Sequence, residues 1–291
     1  MRRDRFVLRL LLLVVLLSGL VLDSTSAAPV AGKGKSDVAA FWTAERINKA
    51  MPFDMVFEKG AKTANRVPLA KGTGKPSGGS TTSILGSSWN LGGLPLSASG
   101  KVFFSIGTAY YQCSGSLVKE DRTDRAIVLT AGHCVYDNAT SSYVSNWIFI
   151  PSYDINQISI SGCSSSTGCW AANKIFANAG FTTQTSFTTQ ATLYDWGFAS
   201  ITELKNGVLP DNGGSNAFPI AFSALTKGTL ATSFGYPAAG KYNGTDLVYS
   251  SGSISFDANN SNLTYSLASD MTGGCSGGPW LTQMQTTSPY S

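Results

Sequence analysis

Beyond residue 100 the chain is written as short apolar, β-branched runs separated by Gly, Asn, Asp and Ser, a punctuation that leaves little room for helices. Candidate strands are Val102–Ile106, Ser116–Val118, Ala126–Thr130, Trp147–Ile150, Trp196–Ile201, Leu230–Gly235, Leu247–Ile254, Leu263–Leu267 and Trp280–Met284. Many short strands with turn residues between them predict an all-β sandwich or barrels. No long helical period and no internal repeat interrupts the pattern. Of the 291 residues 43% are apolar, enough for a sizeable core, and only 13% are charged, a balance that suits an extracellular all-β chain.

The start of the chain carries an address. Arg2, Arg3, Arg5 and Arg9 precede the apolar run Leu10–Leu22, and small residues follow from Ser24 to Ala28. This is the three-part pattern of a cleaved signal peptide over residues 1–28, with an apolar run short of the roughly 20 residues a membrane span needs. A membrane anchor is the alternative reading. Sequons at Asn138, Asn243, Asn259 and Asn262 fit a secreted, extracellular glycoprotein. The net charge of +4 comes from the leader, because acidic residues outnumber basic ones after residue 75. The clustered basic surface of a nucleic-acid binder is therefore not expected.

Residues 29–83 read as a pro-segment and flexible linker. Thr43 can cap a short helix, Glu45 suits its first turn and Pro52 stops it. Residues 71–83 are a low-complexity stretch of Gly, Ser, Thr and Lys. The folded domain is expected over residues 84–291. Two readings of the segment stand side by side: an inhibitory pro-segment of a zymogen, or a disordered tail with no inhibitory role.

The chain has one histidine, His133, placed directly after the strand Ala126–Thr130 and before Cys134. Serine chemistry needs a base of near-neutral pKa, and imidazole is the usual one. The second signal is Gly273-Gly274-Cys275-Ser276-Gly277-Gly278-Pro279. Serine is a weak nucleophile unless a tight turn sets it beside a base. Flanking glycines permit that turn and let backbone N–H groups converge into an oxyanion hole. A structural histidine and an ordinary Gly/Ser loop are the bland alternatives.

Thr130-Ala131-Gly132-His133-Cys134 resembles the histidine motif of the trypsin-like serine peptidases, and Gly274-Cys275-Ser276-Gly277-Gly278-Pro279 resembles their nucleophile motif Gly-Asp-Ser-Gly-Gly-Pro with one substitution. Asp270-Met271-Thr272-Gly273-Gly274-Cys275-Ser276 also looks like the bacterial and fungal glutamyl-endopeptidase branch. The resemblance spans roughly residues 95–285 and implies two six-stranded antiparallel β-barrels of the chymotrypsin type. It implies a catalytic triad of His133, Asp195 and Ser276, with Asp195 taken from Tyr194-Asp195-Trp196-Gly197, and an oxyanion hole from the N–H groups of Gly274 and Ser276. Asp154 and Asp211 are rival acids that read as exposed turn residues. The resemblance also implies a Cys113–Cys134 bridge; Cys163–Cys169 is the second expected pair, leaving Cys275 unpaired. With one histidine and four cysteines so committed, no metal site is expected, and no cofactor.

The implied activity is peptide-bond hydrolysis through an acyl-enzyme by a secreted, monomeric serine endopeptidase. Its partners would be polypeptides, not nucleic acid, and not a membrane once the signal is removed. A non-catalytic, truncated homologue acting as a binding protein is the alternative. A β-sandwich adhesin would need both motifs to be coincidental. The family pattern breaks in three places. Cys275 stands where trypsin has an acid, so the switch that pairs that acid with a new N-terminus is not expected from Ile84-Leu85-Gly86. Asp270, six residues before Ser276, is the specificity-pocket candidate, yet both basic-specific and acidic-specific relatives carry an acid there. The chain runs only 15 residues past Ser276, so the second barrel is expected to be incomplete at its C-terminus.

Overall fold

The computed structural model describes residues 35–57, 61–66, 83–153, 161–163 and 168–284. The signal peptide, most of the linker and Asp154 lie outside the described residues.

Two short helices come first, α1 (Lys35–Phe41) and α2 (Ala44–Lys49). The Thr43 side chain accepts a hydrogen bond from the Arg46 N–H and so caps α2, as the sequence predicts. Three two-residue strands follow: β1 (Met51–Pro52), β2 (Met55–Val56) and β3 (Asn65–Arg66). β4 (Ile84–Ser88) and α3 (Gly93–Ala98) lead into a long antiparallel meander of β5 (Ser99–Ile106), β6 (Ala109–Val118) and β7 (Ala126–Thr130). Next come β8 (Tyr136–Asp137), β9 (Ser142–Tyr143), β10 (Ser145–Pro151), β11 (Trp170–Ala171), β12 (Lys174–Ala177) and β13 (Gly197–Ile201). The C-terminal part adds β14 (Leu230–Gly235), β15 (Val248–Ser253), β16 (Ser255–Phe256), β17 (Tyr265–Ser266) and β18 (Trp280–Thr282).

Among the described residues the main sheet runs β11-β10-β5-β6-β7-β13-β12, with β1 added to β6 in parallel. The second sheet runs β18-β14-β15-β4. This is the expected all-β architecture of two β-barrel sheets; one core cluster fills the main sheet, and a second joins Phe103 and Ile148 of that sheet to Phe234 of the other. β7 and β13 alternate buried and half-buried residues, which is the period of a strand with one face inward. β5 and most of β6 are buried on both faces. The reason is the N-terminal segment. Trp42 packs on Phe103 and Tyr110, while Phe53 packs on Phe104 and Tyr111. Successive residues of a strand face opposite ways, so the segment covers both sides of the β5–β6 hairpin. Residues 35–57 are thus part of the core and not a loose tail: Val38, Trp42, Ile47, Ala50 and Phe53 are all buried.

Both expected disulfides are present, Cys113–Cys134 and Cys163–Cys169, and Cys275 is free. Ile84 pairs with Ser251 as a strand residue of the second sheet. Among the described residues, no helix is long and apolar enough to cross a membrane.

Candidate active site

β7 ends at Thr130, Ala131 continues extended, and a single 3-10 turn, Gly132–Cys134, carries His133. The antiparallel neighbour β13 starts opposite, with Gly197 paired to Thr130. The stretch just before Gly197 therefore faces the turn just after Thr130, and this register brings Asp195 to His133. Asp195 accepts two hydrogen bonds of 2.8 Å, one from the His133 backbone N–H at Oδ1 and one from the imidazole Nδ1 at Oδ2. The contact is close enough that a side chain at residue 132 would crowd it, since a Cβ there would meet the Asp195 carboxylate at 3.1 Å and the Trp196 nitrogen at 3.1 Å. The turn is held from below by the Cys113–Cys134 bond and by the Trp147 indole, which donates to the Cys134 carbonyl at 3.1 Å.

Ser276 lies on the loop that enters β18. Its carbonyl accepts from the Ser114 N–H at 2.8 Å and lies 3.8 Å from the Cys134 sulfur, which puts its backbone against the residue next to His133. Gly277 follows at φ +84, and a Cβ there would meet the Thr130 hydroxyl, the Ser114 carbonyl and the Ala131 nitrogen well inside contact distance. The glycine after the serine is what lets this loop close onto the ends of β6 and β7. The backbone N–H groups of Gly274 and Ser276 make no hydrogen bond within the described residues. The His133–Ser276 hydrogen bond is not made: Nε2 is buried and has no hydrogen-bond partner among the described residues.

What covers the imidazole is the N-terminal segment. The Phe53 ring stacks on it with centroids 5.6 Å apart and planes at 27°, and Phe187 meets it edge-on at 5.6 Å. Burial lowers the proton affinity of His133, but the Asp195 carboxylate beside it and the Asp54 carboxylate more distantly outweigh that and raise it above the usual 6.5. Asp54 itself is pushed upward by burial, partly offset by the His133 charge.

The other sequence candidates separate clearly. Asp211 is buried, against the expectation of an exposed turn acid, and burial raises its pKa. The carboxylate on His133 is Asp195. The specificity-pocket candidate Asp270 is already engaged: Lys241 pairs with it at 2.5 Å and the Tyr242 hydroxyl donates to it. The Asn138 sequon sits in the core, where its amide nitrogen donates to the Phe181 and Gln184 carbonyls at 3.0 and 2.9 Å. That side chain caps the C-terminal end of the short helix Ala179–Thr182 and is closed to a glycan in this fold. Asn262 is exposed on a turn and Asn243 is half-buried. Asn259 lies in the short 3-10 turn Ala258–Asn260. Cys113, His133 and Cys134 come together, but both sulfurs are committed to the disulfide and cannot hold a metal.

Burial, helped by the Asp54 charge, pushes the Cys275 thiol up to about 12. The thiolate is the reactive form, so an alkylating reagent is expected to leave Cys275 untouched in the folded chain at pH 8 and to modify it on unfolding. Mass spectrometry of iodoacetamide-treated samples checks this; rapid alkylation of folded chain contradicts it.

The two curled antiparallel sheets, with an imidazole and a carboxylate at adjoining strand ends and a Gly-flanked serine packed beside them, define a serine peptidase of the chymotrypsin fold. The chain belongs to the trypsin-like, chymotrypsin-fold serine peptidases. It is 33% identical to a thermostable serine protease, AL20, from an extremophilic microorganism, with a TM-score of 0.55 over 66% of this chain and 82% of that one. It is 31% identical to the protease Anisep from Arthrobacter nicotinovorans, with a TM-score of 0.57 over 69% of this chain and 83% of that one. No family model and no curated protein matches the sequence.

Proposed function

We propose that the chain is a secreted serine endopeptidase that cleaves polypeptides through an acyl-enzyme on Ser276. His133 takes the serine proton and returns it to the leaving amine, and Asp195 holds the imidazole tautomer and stabilises the imidazolium. The N–H groups of Gly274 and Ser276 stabilise the oxyanion, each worth roughly 3–4 kcal/mol in the transition state. The observation that carries this reading is the doubly bonded Asp195–His133 pair, whose outer nitrogen is left without a partner next to the Ser276 loop. Two disulfides suit an oxidising compartment, in keeping with residues 1–28 as a signal peptide. The domain then begins near residue 84, Asn243, Asn259 and Asn262 are the remaining glycan acceptors, and the enzyme works as a monomer. Because Lys241 and Tyr242 occupy Asp270, that carboxylate does not act as an open receptor for a basic side chain.

A non-catalytic binding role is the second reading, favoured by the His133–Ser276 bond that is not made. Pre-steady-state kinetics with an activated ester separates the two. Chain cut in the linker at residues 67–82 is expected to give a burst of leaving group stoichiometric with protein, the sign of an accumulating acyl-enzyme. Properly folded chain that shows no burst contradicts the peptidase reading.

A further inference from the structure

The N-terminal segment does more than fill core space, because it crosses the one imidazole in the molecule. β1 adds to the edge of β6 in parallel, with Met51 opposite Tyr111 and Pro52 opposite Gln112. Two further bonds fix this register: the Phe53 N–H donates to the Gln112 carbonyl at 3.0 Å, and the buried Gln112 amide donates to the Ala50 carbonyl at 3.1 Å. The segment then passes over His133 with Phe53 stacked on the ring. On the far side it is tied down again. Thr63 bridges to Thr188, the Ala64 N–H donates to the Phe187 carbonyl at 2.7 Å, and the Thr189 N–H donates to the Lys62 carbonyl at 3.2 Å. Phe53, Met55, Ala64, His133, Asn138 and Phe187 all line one cavity of about 420 Å³. Residues 51–53 are thus anchored on β6, and residues 62–64 on the loop that leads to Asp195.

The edge of β6 here is a peptide-binding edge. Strand addition supplies main-chain hydrogen bonds, and pockets for particular side chains supply selectivity. Gln112 precedes Cys113 and Ser114, the residues that brace the His133 turn and the Ser276 backbone, so a segment paired there lies beside both. The Asp54 carboxylate lies close enough to influence both His133 and Cys275, the residue before the serine.

We propose that the groove between Tyr111–Gln112 and Phe187 is a subsite for an extended peptide presenting an aromatic residue, and that the segment carrying Phe53 is its built-in occupant, which keeps the intact chain latent. The inference rests on the triad reading and deepens it by naming what holds the site shut and the contacts that must be broken. Tethering gives the occupant an effective concentration on the order of millimolar, lost once the linker is cut and the sample diluted.

The test uses the full chain with a recognition sequence for a site-specific protease placed within residues 71–82, so that it folds intact and is cut afterwards. The readout is the rate of labelling by a fluorophosphonate, with Ser276→Ala as control. Uncut chain is expected to label slowly. Cutting and dilution, or Phe53→Ala in uncut chain, should raise the rate roughly tenfold or more, because the rate follows the open fraction. A synthetic peptide of residues 50–57 should suppress labelling of the cut form, and the same peptide with Ala at the Phe53 position should not. Ser276-dependent labelling that is equal before and after cutting overturns the occlusion and leaves the triad intact. No Ser276-dependent labelling in any form overturns the triad reading and this inference with it.

A second readout does not depend on activity. As the chain has a single histidine, its ring protons titrate alone in an NMR spectrum. The charged groups facing the ring are Asp195 and Asp54, while the neighbouring Cys275 thiol stays neutral. Asp54→Asn in uncut chain should lower the His133 pKa, since it removes a charge that favours the imidazolium. An unchanged titration contradicts the placement of Asp54.

Discussion

Replacing Ser276 by Ala in chain released from its N-terminal segment is expected to lower kcat for a peptide substrate by about 10⁶-fold, and replacing His133 by Ala to lower it by a similar factor. The double variant should be no worse than either single one. The two groups act as a unit: the hydroxyl is a poor nucleophile without the base, and the base has no proton to take without the hydroxyl. Asp195→Asn keeps the shape of the site but turns an acceptor of the Nδ1 proton into a group that can present N–H, so a loss of about 10⁴-fold is expected. Steady-state kinetics on the four proteins, with melting curves to confirm folding, checks the series. Additive losses for Ser276 and His133 would mean that they do not work on the same proton.

Trp42→Ala is expected to cost about 3–5 kcal/mol of stability, the range for emptying the site of a large buried aromatic. Trp42 is completely buried and contacts Phe41, Phe103 and Tyr110, and its indole N–H donates to the Asn146 carbonyl at 2.6 Å. Truncation leaves that carbonyl unsatisfied as well as opening a cavity. The loss should concentrate on the segment, so that limited proteolysis cuts within residues 35–57 while the β5–β7 meander stays protected. Urea unfolding gives the magnitude and proteolysis the location. A loss below about 1 kcal/mol, with the segment still protected, would show that Trp42 is not the anchor described here.

The docked segment also sets the sign of a pH effect. Asp54, which lies on the covering segment itself, binds its proton more tightly when docked, because burial disfavours its charged form. A raised pKa contributes stability that is present below the unfolded value and fades as pH rises through the folded one. The cover should therefore hold best in acid and loosen as pH rises through the raised Asp54 value. Labelling of uncut chain by a fluorophosphonate should increase across that window by more than it does in cut chain. A cover that tightens with rising pH contradicts the assignment.

Much of the site could be read from residue order, and the reasons are local. Ala126–Thr130 and Leu230–Gly235 are strands with the same ends in sequence and structure, because β-branched and apolar residues there are bounded by turn formers. His133 and Asp195 stand out because each adjoins such a strand. β11 and β12 gave no signal: Trp170–Ala171 and Lys174–Ala177 are too short for a period to show, and they exist only through pairing with β10 and β13. Asp211 and Asn138 were misleading because Asx residues beside glycine or a sequon normally read as surface turns. Their burial depends on carbonyl and N–H groups of distant or irregular segments. The largest surprise is residues 35–57. A Gly/Ser linker after them reads as a tether, and nothing local shows that Trp42 and Phe53 land on opposite faces of one hairpin.

The central claim is that the hydroxyl of Ser276 becomes acylated, and the adduct can be located directly. Chain with its linker cut is treated with a fluorophosphonate, digested, and its peptides sequenced by mass spectrometry. One adduct per chain on the peptide carrying Gly274-Cys275-Ser276-Gly277, absent after Asp195→Ala or His133→Ala, is the expected result. An adduct on another residue, or a folded chain that takes none, would contradict the account.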